Sequence, residues 1–270
     1  MMKLTYISAV LFVAIILGSC VDSSPKWKYE KSISIDGIAP IGFDVDGDNF
    51  WVSDGDNNRL LKLDMDGKIL VEETEFERPM HLVVDGGNVY VPSYGSDAII
   101  KYNDGKREEM SLQDSLDAPA GVDVNGSEMT IADFYNHRIL YTDGTDWMKV
   151  GKEGNGDLEF HYPTDVQMSG DKIYIADAYN NRIQIIDKQG NHVKNIGKDQ
   201  KMNAATGIYV DRPYLYITDF EHDRVLLFNE EGELLSEIKE GLEKPTDVLV
   251  HNERLYIINY KSQSIAVYTL

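Results

Sequence analysis

The chain has 270 residues, a hydrophobic fraction of 42% and a formal net charge of −20 from 46 acidic and 26 basic residues. Its length and apolar content suffice for one large all-β domain, while its charge repels phosphate backbones and excludes nucleic acid as a partner. With a single cysteine, no disulfide can form within the chain, and packing must supply the stability.

The first segment carries one basic residue, Lys3, and an apolar run from Tyr6 to Leu17. The run is too short to span a bilayer and reads as a signal peptide over residues 1–19. Leu17-Gly18-Ser19-Cys20 fits the lipobox of bacterial lipoproteins: an aliphatic residue, two small residues and a cysteine. The expectation is a lipidated Cys20, a tether over residues 20–26, and the membrane as a partner through that anchor. Val21 rather than an aspartate follows the cysteine, which points to an outer-membrane lipoprotein facing the periplasm or the exterior.

Residues 44–60, DVDGDNFWVSDGDNNRL, open like a calcium loop with Asp44, Asp46 and Asp48. The likeness ends there, because Asn49 and Gly55 stand where an EF-hand needs its glycine and its bidentate glutamate. A repeat explains the stretch better. WVSD ending at Asp54 returns as YVPS at Ser93, TIAD at Asp133, YIAD at Asp177, YITD at Asp219 and YIIN at Asn259, at intervals of 39, 40, 44, 42 and 40 residues. Fourteen residues before these positions stand Pro40, Pro79, Pro119, Pro163, Ala205 and Pro245. The third and fifth residues after each anchor are apolar, from Phe43 and Val45 to Val248 and Val250. Such period-two burial predicts an inner strand.

Each unit continues through a turn, the YIAD-type strand, a third strand such as RIQIID and, after a DG-like turn, a fourth. A four-stranded antiparallel meander of this length is the size of a propeller blade. The sixth unit ends at VYTL, after its third strand, and KWKYEKSISI near the start of the chain has no partner of its own. Pairing the two would close the ring and hide two sheet edges. The predicted fold is therefore all-β, a six-bladed propeller over residues 27–270 closed by its N-terminal strand.

Asp54, Asp133, Asp177 and Asp219 are each followed five residues later by an arginine: Arg59, Arg138, Arg182 and Arg224. Where the acid is replaced, at Ser93 and Asn259, the arginine is replaced as well, by Ala98 and Ser264. Joint retention and joint loss predict structural ion pairs that pin the loop between the second and third strands.

The units resemble NHL repeats. The resemblance rests on VSDGDNNRL (52–60), IADFYNHRI (131–139) and IADAYNNRI (175–183), with the glycine-rich linker GKEGNGDLEFHYPTDV (151–166), and it covers residues 39–270. It implies a propeller that serves as a protein- or RNA-binding module, a sensor domain or, in a few relatives, a metal-dependent lyase.

Two residues after each anchor, at the entry to the inner strand, stand Gly42, His81, Gly121, Asp165, Gly207 and Asp247. Alternate blades of a six-fold ring are related by a three-fold axis, so His81, Asp165 and Asp247 should converge at the channel mouth. One imidazole and two carboxylates form a candidate metal set, for calcium or zinc, with positions left for water or substrate. They also suit a structural role, hydrogen-bonding inner-strand amides. NHL-like amidating lyases place several metal-binding histidines on inner strands, whereas this ring has one. The remaining histidines lack metal-ligand spacing and read as solvated.

Tyr94, Phe134, Tyr135, Tyr179, Phe220 and Tyr260 lie in the loops after the YIAD-type strands. They suit recognition of sugars or peptides, or packing between blades. No nucleophile elbow, zincin motif or phosphate loop occurs. The residues favour a binding module for a protein, peptide or glycan, and the one cofactor they leave open is a divalent metal, calcium or zinc. The alternative is a metal-dependent lyase or lactone hydrolase related to the amidating lyases, with catalysis at the channel mouth.

Overall fold

The computed structural model describes residues 24–270. The leader, Cys20 and the tether through residue 23 lie outside the described residues. Among the described residues, strands form six four-stranded antiparallel sheets arranged as a propeller. Blade 1 runs from the inner strand Pro40–Asp46 through Asn49–Asp54 and Arg59–Asp64 to the outer strand Ile69–Thr74. Blades 2 to 5 repeat this order. Tight hairpins make the meander possible: the first turn of blade 1 places Gly47 at φ 61°, a conformation glycine adopts without penalty.

Blade 6 takes its inner three strands from Pro245–His251, Arg254–Asn259 and Ser264–Thr269. Its outer strand is Lys28–Ser34, paired antiparallel from Lys28 opposite Thr269 to Ser34 opposite Ser264. The seam is sealed by apolar packing. Ile33, Ile35 and Ile38 are buried with Phe43, Phe50 and Leu61 of blade 1 and Tyr256, Ile265 and Val267 of blade 6. Trp27 Nε1 donates to the Tyr216 hydroxyl of blade 5 at 3.1 Å. Five further apolar clusters fill the other blade-to-blade interfaces.

At the channel-entry end, one repeated device ties each blade to the segment leading into it. Asp54, Asp133, Asp177 and Asp219 are fully buried. Their Oδ2 atoms accept from Nε of Arg59, Arg138, Arg182 and Arg224 at 2.5, 2.7, 2.8 and 2.6 Å. Their Oδ1 atoms accept the main-chain N–H of Ala39, Asp117, His161 and Asn203. Each arginine then donates Nη2 to a carbonyl of the same incoming segment: Gly37, Ser115, Gly156 and Gln200. In blade 6, Asn259 Oδ1 still accepts from the Glu243 amide. In blade 2 the Ser93 hydroxyl donates to the Glu77 carbonyl instead. A charge on the pin is therefore dispensable, but a hydrogen bond to the incoming segment is kept throughout.

Blade 2 also departs from the others on its inner strand, which forms a ladder only over Val83–Asp85. The pairing of Val83 with Tyr90 places Pro92 opposite His81. Proline has no N–H to give to the ladder. The His81 backbone turns to blade 3, with its N–H donating to Ala120 O at 3.1 Å and its carbonyl accepting from Val122 at 3.3 Å. This exchange seats His81 at the mouth of the channel.

Candidate functional site

The pairing of Pro40 with Asp54, and its counterparts in other blades, puts the entry to each inner strand at the same end as the loop after the second strand. Channel mouth and aromatic loops therefore share one face. At the mouth, the potential ligand atoms of His81, Asp165 and Asp247 lie within 4.8 Å of one another. The side chains come from blades 2, 4 and 6, and the residues are 3%, 7% and 6% exposed.

The glycines of the intervening blades have a packing reason. A Cβ on Gly42 would lie 2.6 Å from the His81 Cα, and one on Gly121 2.7 Å from the Asp165 Cα. A Cβ on Gly207 would meet the Thr246 carbonyl at 2.4 Å and the Asp247 Cα at 2.9 Å. Six side chains cannot fit in this ring. Alternation lets three of them occupy the centre while three backbones pass close by.

The two carboxylates serve structure as well. Asp165 accepts from Val166 N at 2.8 Å and from Ile208 N of blade 5 at 2.9 Å. Asp247 accepts from Val248 N at 2.8 Å and from Phe43 N of blade 1 at 3.0 Å. Each oxygen thus uses one lone pair on an amide and keeps the other. His81 differs, because its Nδ1 is buried and makes no hydrogen bond. Asp247 Oδ2 lies 3.6 Å away, too far for one. An orphaned buried imidazole nitrogen is costly in a folded protein.

A second tier lies two residues deeper. Asp44 accepts from Val45 N and Val84 N, both at 2.7 Å, and Asp123 accepts from Met168 N at 2.6 Å. Gln167 Oε1 accepts from Val210 N at 2.6 Å, and the Tyr209 hydroxyl donates to Val250 O at 3.0 Å. Every one of these bonds joins one blade to the next, apart from the local Asp44 to Val45 contact. Asp44, first met in the calcium-like stretch, is such a tie, and Asp46 in the same stretch pairs with Lys62 at 2.8 Å. The tier could have been found in the sequence as polar residues at the even positions of otherwise apolar inner strands.

Burial holds these acids protonated to unusually high pH. It raises Asp123 to about 7, with the nearby Asp165 and Asp44 charges adding to the effect, and Asp44 to about 6 against the opposing amide bonds. Asp165 is raised to about 7, again mainly by burial. For His81, burial pushes the imidazole down, but the Asp165 and Asp247 carboxylates outweigh it and the net shift is upward. The two tiers enclose a cavity of about 70 Å³. That is room for an ion and a few waters, and too little for a sugar or peptide.

Larger ligands must meet the rim instead. Tyr94, Phe134, Tyr135 and Tyr179 belong to one continuous aromatic cluster across blades 2 to 4. Phe134 stacks on Tyr162 at 4.7 Å, Tyr94 and Tyr135 lie 5.7 and 5.1 Å from Phe134, and Tyr179 lies 5.0 Å from Tyr162. The sequence reasoning missed the centre of this cluster. Tyr162 stacks on His161 at 4.7 Å, lies 4.6 Å from His137, and donates its main-chain N–H to His137 Nδ1 at 3.2 Å. His137 and His161 are thus packed members of the platform rather than solvated singletons. The signal available was HYP at 161–163, aromatic rings immediately before a proline anchor. Phe220 and Tyr260 stand apart as a pair 6.3 Å from each other on blades 5 and 6. Lys244 lies over Phe220, and the Tyr260 hydroxyl donates to Asp56.

Residues 160–186, which comprise the first three strands of blade 4, match the family model of the NHL repeat. No curated protein sequence matches the chain. Among solved structures the fold is similar to that of a streptogramin B lyase, at 18% identity over 89% of this chain and 86% of that one, with a TM-score of 0.67. It is similar to virginiamycin B lyase from Staphylococcus aureus at 15% identity over 91% and 100%, TM-score 0.67. A gluconolactonase from Xanthomonas campestris gives 15% identity over 88% of each chain and a TM-score of 0.72. Identities this low establish a shared fold.

The raised acids make stability depend on pH in a defined direction. A carboxyl whose folded pKa lies above its unfolded value contributes stability at low pH that is lost as pH rises through the folded pKa. For Asp123 the window runs from 3.8 to about 7. Asp123→Asn keeps an oxygen for the Met168 N–H and removes the charge. The substitution is expected to stabilise the protein by up to about 4 kcal/mol at pH 8, with the gain shrinking to nothing near pH 4. Denaturant unfolding across that range checks this, and a gain independent of pH contradicts it.

Proposed function

We propose that the protein is an extracytoplasmic binding module, held to the outer membrane by lipid on Cys20, whose rim face takes a protein, peptide or glycan ligand. The observation that carries this reading is the continuous aromatic and histidine platform on blades 2 to 4. Tyr135 and Tyr179 at its edges are 47% and 61% exposed. Rings held by their neighbours lose little rotamer freedom on binding, so a ligand gains contact area at small entropic expense. The leader and lipobox supply the anchor in this reading, and the net charge of −20 keeps the molecule soluble and away from nucleic acid. Probing glycan and peptide arrays with the protein and with a Tyr135→Ala/Tyr179→Ala variant tests the reading. Wild-type signals that fall about tenfold or more in the variant support the platform. Signals that persist, or no signal on either array, contradict it.

A second reading is favoured by the orphaned nitrogen of His81. His81, Asp165 and Asp247 suit a divalent cation: one nitrogen with no hydrogen bond, 3.6 Å from the Asp247 carboxylate, and two carboxylates with spare lone pairs, gathered within 4.8 Å. An imidazole beside two carboxylates suits zinc or a similar transition ion better than calcium, which prefers oxygen throughout. Such an ion would supply Lewis-acid polarisation of a substrate carbonyl. Asp44 and Asp123 beneath it would keep the channel floor polar, and the narrow cavity would confine the reacting group to the mouth. The likeness to propeller lyases and a gluconolactonase supports a lyase or lactone hydrolase on this centre. Metal analysis and titration of zinc into purified protein, with His81→Ala alongside, decides the matter. Stoichiometric zinc that raises Tm in wild type and is lost in the variant is expected; no metal bound to either ends this reading.

A further inference from the structure

On the rim between blades 4 and 5 the loops enclose an open cavity of about 690 Å³, within the roughly 300–1,000 Å³ of small-ligand sites. Tyr179, the outer edge of the aromatic platform, forms one wall, and Lys198 and Lys201 stand on another. The cavity is preformed. Gly197, at φ 95°, turns the chain over the buried Met202, and Gln200 O accepts from Arg224 Nη2 at 2.7 Å. Asn180 Nδ2 donates to Gly154 O at 2.8 Å, and Asn181 Oδ1 accepts from Ala204 N at 3.0 Å.

Charge distinguishes this cavity from the rest of the molecule. Arg182 lines it but spends its donors on Asp177 and on the carbonyls of Asn155, Gly156 and Glu159. Lys198 and Lys201 form no ion pair among the described residues, on a chain with 46 acids. Asp199 lies between them in sequence and is not part of the cavity lining. Two exposed ammonium groups therefore face a space that a carboxylate could enter, whereas an extended polyanion would meet the −20 net charge beyond it. The remaining wall is a tyrosine face and side-chain amides, with Met202 its one apolar member. That lining lacks the apolar recess that anchors a peptide side chain. It suits a polyhydroxylated ring that stacks on tyrosine and hydrogen-bonds to amides.

We propose that this cavity binds an acidic oligosaccharide, with a sugar carboxylate at Lys198 and Lys201 and a sugar ring on Tyr179. The inference rests on the rim face being the ligand-binding surface and names the class of ligand it takes. Isothermal titration with trigalacturonate and with neutral galactotriose, at low and high salt, tests it. The wild-type protein is expected to prefer the acid about tenfold, with the preference shrinking as salt rises. Lys198→Gln/Lys201→Gln should erase the preference while leaving Tm and the neutral sugar unaffected. No binding of trigalacturonate, equal affinity for both sugars, or a preference that survives the double substitution overturns the proposal. Neutral binding without an acid preference removes the cavity and leaves the platform standing. Acid-preferring binding that is unchanged in Tyr135→Ala but lost in Tyr179→Ala removes the wider platform and leaves the cavity.

Discussion

The pairing of Lys28–Ser34 with Ser264–Thr269 turns six sheets into a ring. Without it, blade 6 would end in an open edge and the apolar faces of blades 1 and 6 would meet water. Burying Ile33, Ile35 and Ile38 is worth about 2 kcal/mol each. Their sum reaches the scale of a whole domain's net stability, about 5–15 kcal/mol. The seam is closed on the inside too, where Asp247 accepts the Phe43 amide and Thr246 Oγ1 donates to Pro40 O at 3.2 Å. The same residue that closes the channel wall is thus a member of the candidate metal set.

From closure follows the geometry of the mouth. Six inner strands brought around one axis leave space for three side chains and require glycine at the other three positions. Buried acids then become the means of lacing strand to strand, because a carboxylate can accept an amide from its own blade and one from the next. That lacing buries the acids, and burial is the main reason Asp44, Asp123 and Asp165 hold their protons to about 6 or 7, with repulsion from neighbouring carboxylates adding to it. A cation seated on His81, Asp165 and Asp247 would relieve the same repulsion.

Much of this was legible because a propeller repeats. Once Asp54, Ser93, Asp133, Asp177, Asp219 and Asn259 fall into register, each offset becomes a structural position, and the convergence of His81, Asp165 and Asp247 follows from symmetry. The packing reason for Gly42, Gly121 and Gly207 did not follow, since it depends on backbone distances that periodicity does not carry. Nor did the turn of His81 toward blade 3, which comes from a proline opposite it in another strand. The platform was read in part, because Tyr94, Phe134, Tyr135 and Tyr179 occupy equivalent loop positions while Tyr162, His137 and His161 do not. The rim cavity was not read at all. It is built where the repeat intervals lengthen to 44 and 42 residues, by incoming segments longer than their counterparts in the other blades.

Ring closure is most directly tested by denaturant unfolding of a chain beginning at Ala39, compared with one beginning at Ser24 and followed by circular dichroism and tryptophan fluorescence. The shortened chain should lose the single cooperative transition and regain it on addition of a peptide spanning residues 24–38. A shortened chain that unfolds cooperatively at the midpoint of the longer one would contradict the account.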